Sequence, residues 1–224
     1  VDVNSDADIR FCYTLLNKKK QTTTEIVEQG EVVAVEIEKA IFSHFQVLLK
    51  KCDWLIISGT KAPGFSEELF PNMVKAAKAQ RTMVLLDIKG EDLLNSLKYR
   101  PDFVKVNTQE FFTTFFPDTP LHSQKNRFKL LELARTKIPQ LYRQLGIRTI
   151  ITNQEHEIIF SQGPAIHSIH PRRIEPVNTT GCGDAFTAGF VSEYAKSEDM
   201  FRAIGKGEEC ARRNALLVQP GRIK

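Results

Sequence analysis

At 224 residues, with 42% hydrophobic and 26% charged side chains, the chain can build one globular domain, or one domain and a small appendage, around a sizeable core. That composition excludes a disordered segment, a collagen-like fibre and a small disulfide scaffold. Thirty-one Lys and Arg against 27 Asp and Glu leave +4 with no dominant basic block, so nucleic acid is not an expected partner, whereas small anionic substrates stay open.

Residues 9–16 and 22–27 are β-rich runs joined by Asn17-Lys18-Lys19-Lys20-Gln21, which predicts a hairpin with a charged tip. The three lysines read as a solvated turn rather than a phosphate clamp. Ile37, Ile41, Phe45 and Leu48 recur at helical spacing and predict a helix over 35–49 with one buried face. Short apolar runs at 54–57, 83–86 and 103–106 then alternate with helical stretches at 66–79 and 91–97. This is the pattern of a parallel sheet flanked by helices, and the fold class expected is α/β, doubly wound and mostly parallel. Helices follow at 108–116 and 127–145, separated by a Pro-bearing loop. Strands are predicted at 149–152, 158–161 and 165–169, and closing helices at 185–196 and 200–217.

No apolar run reaches the ~18 residues that span a bilayer, and no signal-peptide order is seen at the start, so a soluble protein without membrane partners is expected. Cys12, Cys52, Cys182 and Cys210 are far apart with no CxxC pair, which fits free thiols in a reducing cytoplasm. His167 and His170 fall in a predicted strand, where such spacing points to opposite faces, so no metal site is expected there. His44, His122 and His156 stand apart from them.

The most informative stretch is Asn178-Thr-Thr-Gly-Cys-Gly-Asp-Ala-Phe-Thr-Ala-Gly-Phe190. Gly181 and Gly183 allow close backbone approach where an apolar helix begins, so successive N–H groups lie at the positive end of a helix dipole. An acidic residue at an anion site is a poor phosphate cradle because like charges repel. Asp184 makes sense there as a base that takes a proton from a hydroxyl attacking a bound phosphoryl group. The bland alternative is a turn with Asp184 capping the helix.

The full run closely resembles the C-terminal signature of the PfkB, or ribokinase-like, carbohydrate kinases, Asp-Thr-x-Gly-Ala-Gly-Asp-x-Phe-x-x-Gly. The resemblance implies that Asp184 is the catalytic base and that the backbone of Gly181, Cys182 and Gly183 forms the anion hole. Lys105-Val-Asn107-Thr-Gln-Glu110 resembles the family's Lys-Pro-Asn-x-x-Glu, which implies that Asn107 and Glu110 help place Mg²⁺ and the phosphates of ATP, Glu110 acting on the metal through water. The same two residues also read as a helix capping box, and the two readings are compatible. Ser58 to Gly64, Leu86 to Glu91, Ile9-Arg10 and Thr23 to Ile26 resemble segments of the phosphosugar kinase branch. That branch contains 1-phosphofructokinase and tagatose-6-phosphate kinase. By the same resemblance, Thr152 and Asn214 contact the nucleotide, Asn214 from the helix that closes the adenine pocket, and Arg10 contacts the substrate phosphate. Lys61 is a candidate second positive charge, with an exposed loop lysine as its alternative. Residues 9–27 would be a lid hairpin, and in the family such strands often mediate homodimers.

Several positions depart from the family pattern. Asn178 replaces an acid that the family uses to organise a cation-bearing loop, and Cys182 replaces a small Ala. After Thr152 the usual Gly-x-x-Gly is absent, and Asn153-Gln154-Glu155-His156-Glu157 stands there, which predicts weaker ATP binding. Residues 1–9 show none of the family's early sugar-contacting motifs. The expectation is therefore one kinase domain over 1–224 that lacks its N-terminal part, less active than a chain with that part restored. Two readings follow: an ATP- and Mg²⁺-dependent kinase for a sugar or sugar phosphate, a ketohexose phosphate above all, or a non-catalytic or impaired fragment that only binds nucleotide. A dinucleotide-dependent oxidoreductase is disfavoured because no GxGxxG follows an early strand.

Overall fold

In a computed structural model of the chain, residues 3, 5, 7–17, 19, 20, 22–120 and 126–223 are described. The elements in chain order are strands β1 (Cys12–Asn17) and β2 (Thr22–Val27), helix α1 (Val35–Leu49), β3 (Trp54–Ser58), α2 (Leu69–Ala79), β4 (Met83–Asp87), α3 (Gly90–Leu97), β5 (Phe103–Asn107), α4 (Thr108–Phe115), α5 (Arg127–Leu145), β6 (Arg148–Asn153), β7 (Glu157–Gln162), β8 (Ala165–Ile169), α6 (Cys182–Ser197) and α7 (Met200–Ala215). They fall into two compact units, one within residues 1–9 and 30–169, the other within residues 10–29 and 170–224. Among the described residues no helix is long and apolar enough to cross a membrane.

The first unit is built on a six-stranded sheet in the order β3-β4-β5-β6-β7-β8. Strands β3 to β6 are parallel, and β7 and β8 join antiparallel. This is the mostly parallel α/β sheet that the alternating runs predict. Each crossover from β3 to β6 advances the chain by one strand, and right-handed crossovers place successive helices side by side on one face. There α2 touches α3 and α3 touches α4.

Alternation along the strands fills both faces. Val84, Leu86, Val104, Val106 and Ile151 pack into a cluster with Phe111, Phe112, Leu130 and Ile138 from α4 and α5. Leu85, Phe103 and Ile150, which alternate with them, are equally closed to solvent. A strand buried on both faces must be apolar nearly throughout, which is why these segments read as short continuous hydrophobic runs. On the second face Phe103 stacks on Trp54 at 5.8 Å and carries the Arg148 guanidinium at 5.1 Å.

Some boundaries differ from the sequence expectation. Helix α2 opens at Leu69 rather than at Ser66, whose N–H and hydroxyl both donate to the Glu38 carboxylate, at 2.6 and 2.5 Å. Helix α5 opens on Asn126, whose Oδ1 accepts from the N–H groups of Phe128 and Lys129, and closes on left-handed Gly146. The preceding loop, with His122, lies partly outside the described residues.

In the second unit β1 and β2 form an antiparallel hairpin, with Cys12 opposite Val27 and Asn17 opposite Thr22. Asn17 shapes the tip, its Oδ1 accepting from the N–H groups of Lys19 and Lys20 at 3.1 and 3.0 Å. Both lysines are exposed, as a solvated turn requires; Lys18 and Gln21 lie outside the described residues. Helices α6 and α7 pack along one another at very short range. A Cβ on Gly189 would lie 2.8 Å from the Cys210 Sγ and from the Lys206 carbonyl oxygen, and one on Gly207 would lie 2.9 Å from the Phe186 ring. Phe186, Phe190 and Tyr194 stack in succession along α6.

Candidate active site

The glycine-aspartate stretch is the first turn of α6, which begins at Cys182 rather than at Ala185. The cause is Gly181, which takes the left-handed conformation (φ 72°, ψ 6°) and serves as N-cap. Only glycine enters that conformation without a steric penalty, and here a Cβ would also meet Pro220 at 3.3 Å. No side chain caps this helix, and Asp184 sits inside the first turn rather than at the cap. Gly183 and Asp184 are exposed, Gly181 and Cys182 half-buried. The arrangement is a helix N-terminus without a side-chain cap and with a carboxylate on its rim, at which the Cys182 N–H donates to the Thr179 carbonyl at 3.2 Å.

Two buried asparagines fasten this turn. Asn178 is 5% exposed; its Oδ1 accepts from the Thr180 N–H at 3.0 Å and its Nδ2 donates to the Val218 carbonyl at 3.0 Å. Asn214 is 0% exposed; its Nδ2 donates to the Thr180 carbonyl at 2.8 Å and toward the Cys182 Sγ at 3.5 Å, while its Oδ1 accepts from the Gly221 N–H at 2.8 Å. The sequence reading assigns Asn214 to the adenine pocket, and the structure places its amide wholly within these internal bonds. Burial pushes the Cys182 thiol above its ordinary pKa, and the Asn214 amide draws it partly back.

In the first unit Asn107 and Thr152 are register neighbours at the carboxyl ends of parallel β5 and β6, the end at which open α/β sheets bind ligands. Asn107 caps α4: its Oδ1 accepts from the Glu110 N–H at 2.9 Å, and Glu110 Oε2 accepts from the Asn107 N–H at 2.9 Å. The capping box is therefore formed, and it fixes the Glu110 carboxylate at the mouth of the sheet. Thr152 is half-buried, and its carbonyl accepts from Thr108 Oγ1. Beyond it, Gln154 occupies the left-handed region (φ 49°). Among the described residues no three His, Cys, Asp or Glu side chains come together to hold a metal directly.

Lys61 is neither an unpaired charge nor an exposed loop lysine. Its ammonium pairs with Asp92 at 2.6 Å, donates to the Ser66 carbonyl at 2.7 Å and lies over the Phe70 ring, with its side chain only 11% exposed. Arg10 is exposed just before β1 in the second unit. The sequence reading gave no role to the nearly buried pair Lys105–Asp87, in which both carboxylate oxygens accept from the ammonium at 3.0 Å. Its signal was the lysine and the aspartate in otherwise apolar strands.

The mostly parallel sheet flanked by helices in the first unit defines an α/β protein, and the second unit carries a glycine-capped helix N-terminus with an acidic rim. The chain belongs to the pfkB family of carbohydrate kinases, whose family description matches residues 1–218. That match takes in residues 1–9, where the motifs quoted above find no counterpart. A D-tagatose-1-phosphate kinase of Klebsiella oxytoca is 27% identical over 181 residues, 80% of this chain and 56% of that protein. The chain therefore spans little more than half the length of this curated relative. Among solved structures it is similar to a possible 1-phosphofructokinase of Thermotoga maritima (TM-score 0.79, 18% identity, 94% of this chain and 64% of that one). It is similar also to phosphofructokinase-2 of Escherichia coli in complex with potassium (TM-score 0.79, 15% identity, 98% and 68%).

Proposed function

We propose that the chain carries the phosphoryl-transfer loop of an ATP-dependent kinase acting on a hydroxyl of a sugar phosphate, with a ketohexose phosphate as acceptor. One observation carries this reading: α6 opens on a left-handed glycine with no side-chain cap, and exposes Gly183 and Asp184 in its first turn. Amides and dipole at such a terminus favour the negative charge of a transferring phosphoryl group. Asp184 takes the proton of the acceptor hydroxyl as its oxygen attacks the γ-phosphorus in line. The bond from phosphorus to the departing ADP oxygen breaks, and the backbone from Gly181 to Asp184 balances the charge on the equatorial oxygens.

Glu110 is the residue for Mg²⁺, through water. The fit rests on its donor set: one carboxylate oxygen is engaged in the capping box, and no cluster of protein ligands stands beside it among the described residues. A cation that keeps most of its waters and binds mainly to phosphates suits a single carboxylate. When bound, Mg²⁺ neutralises charge on the nucleotide phosphates. Asn107 and Thr152, neighbours at the same sheet end, serve the nucleotide, and Arg10 serves the phosphate of the acceptor. Lys61 is left out because Asp92 already neutralises it. The hairpin exposes Phe11, Tyr13, Leu15 and Ile26, and we assign that face to a homodimer.

The test is Asp184→Asn in the full-length protein. Loss of a general base predicts a fall in kcat of about 10²–10⁴-fold, and a wild-type kcat would sink the assignment. Asn178, standing where the family has an acid, favours the second reading, a nucleotide binder without turnover. Calorimetric titration with Mg·ATP, with and without fructose phosphates, separates the two: heat without product formation would establish the binder.

A further inference from the structure

The turn has no side-chain cap, yet Thr180, the residue just before its glycine, is gripped from both ends. The Thr180 N–H donates to Asn178 and the Thr180 carbonyl accepts from Asn214. Each asparagine uses its remaining amide atom on the segment after α7: Asn178 Nδ2 donates to the Val218 carbonyl, and Asn214 Oδ1 accepts from the Gly221 N–H. Each amide therefore has a donor and an acceptor engaged, at 5% and 0% exposure. Burial raises the stakes, because removing one partner leaves a polar group without water or protein to satisfy it. Pro220 then closes on Gly181 from the same segment.

We infer that Asn178 and Asn214 are positioning residues for phosphoryl transfer, an amide clamp that presets the Thr180–Gly181 turn and, with it, the direction of the first-turn amides of α6. The inference rests on the reading of that turn as the anion hole. It also assigns a purpose to the asparagine at 178. An amide presents N–H to the Val218 carbonyl, so the two loops are joined directly. A carboxylate at the same place would set oxygen against oxygen and need a cation between them. In this chain the side-chain amide does the joining, and the turn holds its shape without a bound alkali ion.

The test compares wild type, Asn178→Asp, Asn214→Ala and Asp184→Asn as full-length proteins in potassium, sodium and tetramethylammonium buffers. The expected result is a wild type indifferent to the cation. Asn178→Asp should lose roughly 10-fold or more of kcat in tetramethylammonium, with the acceptor KM within about twofold, and potassium or sodium should restore part of the loss. Asn214→Ala should lose kcat in every buffer. A wild type that needs an alkali ion, or an Asn178→Asp enzyme with full kcat in tetramethylammonium, overturns the clamp. If Asp184→Asn keeps wild-type kcat, the reading of the turn has failed; if Asp184→Asn is dead and Asn178→Asp is not, only the clamp has. A measurement that needs no variant is amide hydrogen exchange in the native chain. The Thr180 and Gly221 N–H groups should be protected well beyond their loop neighbours, and exchange at unprotected rates overturns the proposal.

Discussion

The chain contains two sheets that look alike as sequence and differ as physical objects. In the six-stranded sheet Val84, Leu85, Leu86, Phe103, Val104 and Val106 are closed to solvent on both faces. In the β1–β2 hairpin Phe11, Tyr13, Leu15, Ile26 and Val27 are each more than half exposed, although β-branched and aromatic residues are just as frequent there. Strand propensity is a statement about fitting a pleated surface, and only packing partners turn it into stability. The contrast implies that the large sheet carries the stability of its unit, while the hairpin contributes surface.

The largest effects should come from the core packed on and within the large sheet. Phe111→Ala empties a fully buried ring site and should cost about 3–5 kcal/mol in chemical denaturation. Lys105→Ala removes the ammonium facing Asp87 and should cost about 3 kcal/mol, because a carboxylate is then held in a nearly dry site. At the rim of the same sheet, Gln154→Gly should stabilise by about 0.5–1 kcal/mol by relieving a left-handed backbone. Smallest of all, Tyr13→Thr on the hairpin should shift monomer stability by no more than about 0.5 kcal/mol. A much larger loss for Tyr13→Thr would break the comparison, since it would mean that the hairpin face is covered in solution; sedimentation of both proteins would then show whether a second copy covers it.

Local pattern made the elements legible and left their partners unread. Helix α1 and strand β2 stand where periodicity puts them, and the parallel sheet follows from short apolar runs between helices. The capping box of Asn107 and Glu110 was legible because both halves lie within one helical turn. Lys61 was not, because Asp92 reaches it from α3 and Ser66 is held by Glu38 from α1. The bond from Asn214 to Thr180 was not legible for the same reason: it joins residues remote in sequence, and no spacing rule reports a contact of that kind. Contacts within one helical turn were legible in the sequence, and long-range hydrogen bonds needed coordinates.

Gly189 and Gly207 have an effect that reaches beyond the helix pair they join. A helix displaces as a rod, and α6 is held against α7 at its middle by contacts that leave no room for a methyl group. Any side chain at either glycine pushes the rod sideways against the Gly181 turn, which Asn178 and Asn214 tie to the segment after α7. Two residues that lack side chains altogether therefore hold the helix that carries the turn, at a distance from the turn itself. Damage at either position should register as misdirected chemistry as well as lost stability.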